Sequence, residues 1–195
     1  MELTIGESTG IKGHMVLRTH TLRPGWKDMD PHELLRLLEV EDADQVVEAD
    51  NIMCVNGLSQ MIQAFLWSSI ADQNANMGSP YDATFMYPIY GAIGTNGIGG
   101  GVLATDIQLN AEEARAICAS AGATNASVGG DPQIVWSFLF GAPGGNQTID
   151  EAGVFLCATA TANNGYLLDH AVINPAVTQS TSQLLTLTVD ITCGN

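Results

Sequence analysis

Four histidines, two adjacent pairs of carboxylates, a glycine-rich loop and four cysteines are the parts of this sequence that could do chemistry. His14, His20, His32 and His170 belong to the commonest metal-ligand type. His14 and His20 share the parity of one strand face, but at about 3.3 Å per residue they stand about 20 Å apart, too far to chelate one ion. Asp150-Glu151 and Glu112-Glu113 are sequence neighbours, and neighbours on a strand point to opposite faces, so neither pair makes an acid–base dyad. Glu151 stands apart because it sits among apolar residues, Ile149 before it and Ala152-Gly153-Val154-Phe155 after it. A carboxylate in that setting reads as a structural group that accepts hydrogen bonds from backbone amides at a turn, with Gly153 and Phe155 completing the turn. Glu151→Ala is then expected to cost about 1–3 kcal/mol, the penalty of unsatisfied buried partners.

The other motifs lead away from catalysis. Thr95-Asn-Gly-Ile-Gly-Gly-Gly101 has neither the Lys-Ser/Thr of a phosphate-binding P-loop nor a GxGxxG register, so it reads as a loop needing close approach or positive φ. Cys54, Cys118, Cys157 and Cys193 contain no CxxC pair, which excludes a zinc ribbon; four cysteines allow three disulfide pairings, and buried free thiols are the favoured reading. No Gly-x-Ser-x-Gly elbow and no His-Glu-x-x-His is present. The sequons at Asn125 and Asn146 come with no secretory signal. The residues thus call for no catalytic, cofactor-binding or metal site and for no cofactor.

Composition narrows the partners. Of the six basic residues, five (Lys12, Arg18, Arg23, Lys27, Arg36) fall within the first 36 positions, and the chain carries a net charge of −15. That field repels phosphate backbones and anionic lipid surfaces, so neither nucleic acid nor membrane is an expected partner. Charged residues make up 14% of the chain, well below the usual quarter, so the surface must be polar but largely uncharged, as where subunits pack together. With no signal-peptide pattern at Met1 and no apolar run of membrane-spanning length, synthesis in a cytoplasm is expected.

The elements that must position these groups are mostly strands. Gly13–Arg23 alternates, with Met15, Leu17, Thr19 and Thr21 on one face. Asp30-Pro31 opens a short helix with Leu34, Leu35, Leu37 and Leu38 as its stripe. The acidic stretch from Glu39 to Asp50 reads as a solvated loop or turn of helix, making residues 30–50 a helical and acidic insertion. Asn51–Ser69 has the best helical pattern, through Leu58, Met61, Ile62, Phe65 and Leu66. Ala83–Gly94 reads as a strand interrupted by Pro88, Asn110–Cys118 as a short helix, and Ala119–Gly130 as a loop. Strands follow at Gln133–Phe140, around Ile149–Phe155, at Gly165–Ile173 and at Leu184–Thr192. The expected architecture is mainly β with a few helices: an antiparallel, jelly-roll-like β-sandwich over residues 13–195 with one amphipathic helix. Residues 1–12 form an N-terminal arm, in which Met1, Glu2, Leu3, Thr4 and Ile5 are the assembly residues.

The order of several segments carries a resemblance. Asn51-Ile-Met-Cys-Val-Asn-Gly-Leu58 is followed by Tyr90-Gly-Ala-Ile-Gly-Thr-Asn96, Thr105-Asp-Ile-Gln-Leu109 with Glu112-Glu-Ala-Arg115, and Ile149-Asp-Glu-Ala-Gly-Val-Phe155. Leu167-Leu-Asp-His-Ala-Val-Ile-Asn-Pro175 and the run from Thr178 to Ile191 complete the set. Over residues 51–192 this order resembles minor structural proteins of tailed-bacteriophage virions, departing from them at Gln179, where a basic residue is usual. The resemblance implies a β-sandwich that assembles as a homo-oligomer with other virion structural proteins in a tail, neck (collar) or capsid decoration, and it implies no catalytic residues. The competing expectation is a receptor- or glycan-binding module recognising a host-surface glycan; a hydrolase on the same scaffold is the third.

Overall fold

The computed structural model describes residues 11–59, 89–124, 133–156, 158–162 and 164–193. It is mainly β. Eight strands occur in the order β1 (Ile11–Thr21), β2 (Gln45–Met53), β3 (Tyr90–Gly94), β4 (Glu112–Thr124), β5 (Gln133–Phe140), β6 (Gln147–Leu156), β7 (Tyr166–Gln179) and β8 (Gln183–Cys193). Their spatial order is β1-β2-β7-β6-β3-β4-β5-β8, and the last strand pairs back to the first. Every pairing is antiparallel. Where a β-sandwich was expected, the strands therefore close into a barrel. Closure comes from two strands that change partner along their length. β2 pairs with β1 through Asn51 and with β7 from Ile52; β4 pairs with β3 through Ile117 and with β5 from Cys118, across an irregularity at Cys118/Ser120. Such a bulge bends a strand and lets one sheet run into the next.

An eight-stranded barrel has an interior just wide enough for side chains to fill. Here Met15, Leu17, Val47, Trp136, Phe138, Phe140, Val154, Ile173, Leu187 and Val189 are among those that fill it. β1 follows its sequence pattern, with Met15 and Leu17 inside and His14 and Arg18 partly exposed on the other face. Gly91 in β3 makes room for a large ring: a Cβ there would come within 2.5 Å of the Phe138 ring.

The helices are short. α1 (Pro31–Val40) starts as read, with the Asp30 carboxylate accepting from the His32 and Glu33 N–H groups at 2.9 and 3.3 Å. Its Leu34 and Leu38 pack with Trp26 and Leu184. α2 begins at residue 55 and is described through 59; α3 (Gly97–Gly100) is a single turn. Among the described residues no helix is long and apolar enough to cross a membrane.

Several local readings are corrected. The acidic stretch contains β2, a barrel strand. Its outward acids Glu48 and Asp50 alternate with inward Val47 and Ala49, and their charge hides that alternation. The helix read over Asn110–Cys118 is the first half of β4. Glu-Ala-Arg-Ala favours a helix locally, but Ala114, Ala116 and Cys118 pack against the barrel core, and tertiary packing overrides propensity. β4 runs on to Thr124, so residues 119–124, read as loop, are strand, and residues 125–130 lie outside the described residues. The segment read as a turn, Ile149–Phe155, lies wholly inside β6. The helix read from Asn51 starts four residues later, its continuation past 59 lies outside the described residues, and so do 83–88 and the arm residues Met1, Glu2, Leu3, Thr4 and Ile5.

Candidate functional site

One half of the barrel wall is covered on its outside. The chain leaves β3, makes α3, and returns across β6 and β7 before entering β4. Thr95 N–H donates to the Ala111 carbonyl at 2.9 Å and closes the base of this excursion, while Val55 N–H donates to the Ala104 carbonyl at 2.8 Å and ties it to the start of α2. Beneath it Leu109 is buried with Phe155, Leu167, Ala92, Cys54 and Ala158 in a second apolar cluster.

Three ionisable side chains meet under this cover. His170 Nε2 lies 3.1 Å from Glu151 Oε2, and His170 Nδ1 lies 2.9 Å from Asp106 Oδ2. The side chains of Glu151 and His170 are 0% exposed and that of Asp106 is 22% exposed. Glu151 also accepts from two backbone amides, Ala111 N–H at 2.6 Å and Asn110 N–H at 2.9 Å. Asp106 accepts from Leu103 N–H at 2.8 Å. Burial pushes the Glu151 carboxyl up, but the bonds from His170, Ala111 and Asn110 and the charge of His170 outweigh it, leaving the group below the usual carboxylate range. Each ring nitrogen of His170 thus faces one carboxylate oxygen.

This row joins the covering segment (Asp106, Asn110, Ala111) to β6 (Glu151) and β7 (His170). A general base needs a ring nitrogen within reach of a substrate proton, and here each nitrogen faces a carboxylate of the same chain. The two acids sit at opposite ring nitrogens and cannot converge on one ion. Among the described residues no three His, Cys, Asp or Glu side chains are placed to hold a metal. The arrangement acts as a clamp.

The three residues singled out on β6 do lie together, on its outward face under the cover. Glu151 is in the clamp. Gly153 pairs with His170 and leaves the space that Leu109 and Leu167 occupy, since a Cβ there would come within 2.9 Å of either. Phe155 lies under the Arg115 guanidinium, 4.0 Å from its ring centre. Arg115 is paired with Glu112 and donates to the carbonyls of Thr159 and Asn164 at 3.2 and 2.6 Å, pinning the β6–β7 connection. Asp106 and His170 escaped the sequence reading as members of this site. The signal lay in Leu167-Leu-Asp-His-Ala-Val-Ile173, where two ionisable residues interrupt an apolar strand just as Glu151 does.

The remaining candidates separate. His14 lies on the outer surface, 3.6 Å from Glu48 and 3.5 Å from Asp50. Cys54 and Cys118 are free thiols; burial, with Asp169 and Asp106 near, pushes Cys54 up to about 12, which keeps it inert as a nucleophile. The glycine loop carries α3, whose first N–H groups at Gly97 and Ile98 donate to the Asp150 carboxylate at 2.7 and 3.4 Å, so its anion is internal. An open groove of about 530 Å³ lies between Pro31, Ile117, Leu139 and the turn at Gly141–Gly144; the aromatic ring at its wall, Phe140, is buried and offers no stacking face.

His20 is 1% exposed, opposite Leu184 on β8, and neither ring nitrogen has a partner. Burial holds it neutral and lowers its pKa; Asp44 and Glu41 pull the other way, while Arg18 and Arg23 add to the lowering. The unfolded chain takes up a proton near the ordinary value of about 6.5 that the folded chain refuses, so this residue makes stability fall as the pH drops below that value. His20→Leu is expected to raise stability by about 1 kcal/mol at pH 7.5, by removing two orphaned ring nitrogens, and to raise it further at pH 5.5. Urea unfolding at the two pH values checks both; an equal gain at both would remove His20 as the source of the acid sensitivity.

Compared with protein-family models, with curated protein sequences and with solved structures, the chain matches none.

Proposed function

We propose that this chain is a non-enzymatic structural subunit of a bacteriophage virion, part of a tail, neck or capsid decoration, made in the host cytoplasm and assembling with its own copies and with other virion proteins. The observation that carries the non-enzymatic reading is the clamp: the buried acid–imidazole–acid row spends both ring nitrogens of His170 and both Glu151 oxygens on internal partners. The virion reading rests on the ordered segments between residues 51 and 192 and on the weakly charged surface. The fold suits such a use. Its strands nest first with last, β1 with β8, β2 with β7, β3 with β6 and β4 with β5, as in a jelly roll whose halves are joined through β2 and β4. Ile52, Val55, Ile98, Leu103 and Ile107 are exposed on and beside the covering segment, giving an apolar area of the kind that subunits bury.

Light scattering on a size-exclusion column, with co-sedimentation on particles lacking this protein, tests the reading. A defined oligomer that binds particles is the expected result; because Ile11 and Lys12, read as arm, belong to β1, the arm is tested by removing residues 1–10, which should weaken assembly more than it lowers the melting temperature. A monomer that ignores particles yet binds a glycan array would replace this reading with the glycan-binding one.

A further inference from the structure

The seam between β2 and β7 is the shortest in the barrel. Its ladder holds two register pairs, Ile52 with His170 and Met53 with Asp169, where β1 and β8 share eleven. One further backbone bond, from Cys54 N–H to the Leu168 carbonyl at 2.7 Å, extends it, and side chains do the rest. Gln45 Nε2 donates to the Ala176 carbonyl at 3.4 Å and Gln45 Oε1 accepts from Thr178 N–H at 3.3 Å near one end of the seam. Near the other, Asn51 Nδ2 donates to Asp169 Oδ2. Both of these residues point inward: Asn51 lies opposite Gly13, and Asp169 opposite Met53 and Val154, which belong to the core or pack on it. Gly13 is required there, because a Cβ would run into the Asn51 amide.

Asp169 is 0% exposed and makes no ion pair among the described residues. The titratable neighbour is the Cys54 thiol, itself held protonated, with Asp106 beyond it. Two atoms of the pair, Asn51 Oδ1 and Asp169 Oδ1, have no hydrogen-bond partner. Both are acceptors for as long as Asp169 is a carboxylate, so neither satisfies the other. One proton resolves both: the acid O–H donates to the amide oxygen while the amide N–H donates to the second carboxyl oxygen.

We propose that Asp169 carries a proton at neutral pH and closes the β2–β7 seam with Asn51 as an acid–amide pair, making the seam a proton-dependent latch. Burial acts in the same direction, holding this carboxyl well above the usual range against one opposing bond from the His170 backbone N–H. A folded-state value above the unfolded one places the full contribution to stability below the unfolded value and removes it as the pH rises towards the folded one. The ionised group would sit inside an apolar barrel at the seam that backbone bonding holds least.

Infrared spectra of the whole chain in D2O and urea unfolding of wild type and Asp169→Asn from pH 5 to 9 test this. The expected spectrum at pH 7 contains the carbonyl stretch of a protonated carboxylic acid, which Asp169→Asn lacks. The folding constant of wild type relative to the variant should fall about tenfold per pH unit across the interval between the two values. Hydrogen exchange corrected for intrinsic rates should show residues 45–53 losing protection at high pH in wild type and keeping it in the variant. A wild-type spectrum at pH 7 without that band, or parallel stability curves for the two proteins, overturns the proposal; should Asp169→Asn not fold, the wild-type band at pH 7 decides alone.

Discussion

Glu151→Ala should lower the unfolding free energy by about 3–5 kcal/mol, at the upper end of what single substitutions do. The sequence alone suggested about 1–3 kcal/mol, on the assumption of a few unsatisfied amides. The structure raises the figure, because the substitution strands three donors at once: the Asn110 and Ala111 N–H groups and the buried ring of His170. The last is the costliest, since it leaves a fully buried ring nitrogen facing a cavity with no partner. Asp106→Ala should cost less, about 1–2 kcal/mol, because that side chain is partly exposed and water can replace it. Replacing the buried pair together, Glu151→Leu with His170→Leu, should recover part of the loss, as apolar replacements of buried ion pairs often do. Urea unfolding at pH 7 measures all three. Because the folded-state value of Glu151 is depressed, its contribution is present above the ordinary carboxyl range and is lost as the pH falls through the folded value. The difference between wild type and Glu151→Ala should therefore shrink in acid. A single-variant loss below about 1 kcal/mol would refute the clamp.

Phe138→Ala should cost about 3–5 kcal/mol, because its ring is fully buried at the centre of the barrel and the rigid strands around it cannot collapse into the void. The informative partner is Gly91. Gly91→Ala alone should cost about 1–3 kcal/mol, since the new Cβ meets the Phe138 ring at 2.5 Å. In the Phe138→Ala background that clash is gone and the methyl group enters the void, so the same change should be neutral or favourable there. Thermal unfolding of the four proteins closes the cycle, and additive effects would show that Gly91 is small for some reason other than this ring.

The residues of the clamp show how far the pattern of residues carried. Glu151 was recognisable as a structural carboxylate from its apolar neighbours, and that reading used nothing beyond position in the chain. Its partners were not, because Asp106 and His170 are 64 residues apart and meet through a loop laid across two strands. The turn assigned to Glu151 was wrong for a related reason. Its backbone amides come from Asn110 and Ala111, so the carboxylate accepts across space while its own chain stays extended. β2 and the start of β4 were hidden by composition: acids outside β2 read as loop, and Glu-Ala-Arg-Ala read as helix.

The class of structure, mainly β, and the local starts and stops of its elements are legible in residue order alone. Alternation in β1 and β8, the Asp30-Pro31 start of α1 and the apolar run of β5 follow from steric and hydrophobic rules that act within a few residues. Only the tertiary structure decided that the sheet closes, that Asn51 and Asp169 share its thinnest seam, and that an acid from each side holds the His170 ring. Each of these depends on which strand lies beside which, a choice made by the fit of the whole core around Phe138 and by the burial of charge in pairs. No window of neighbouring residues contains that information.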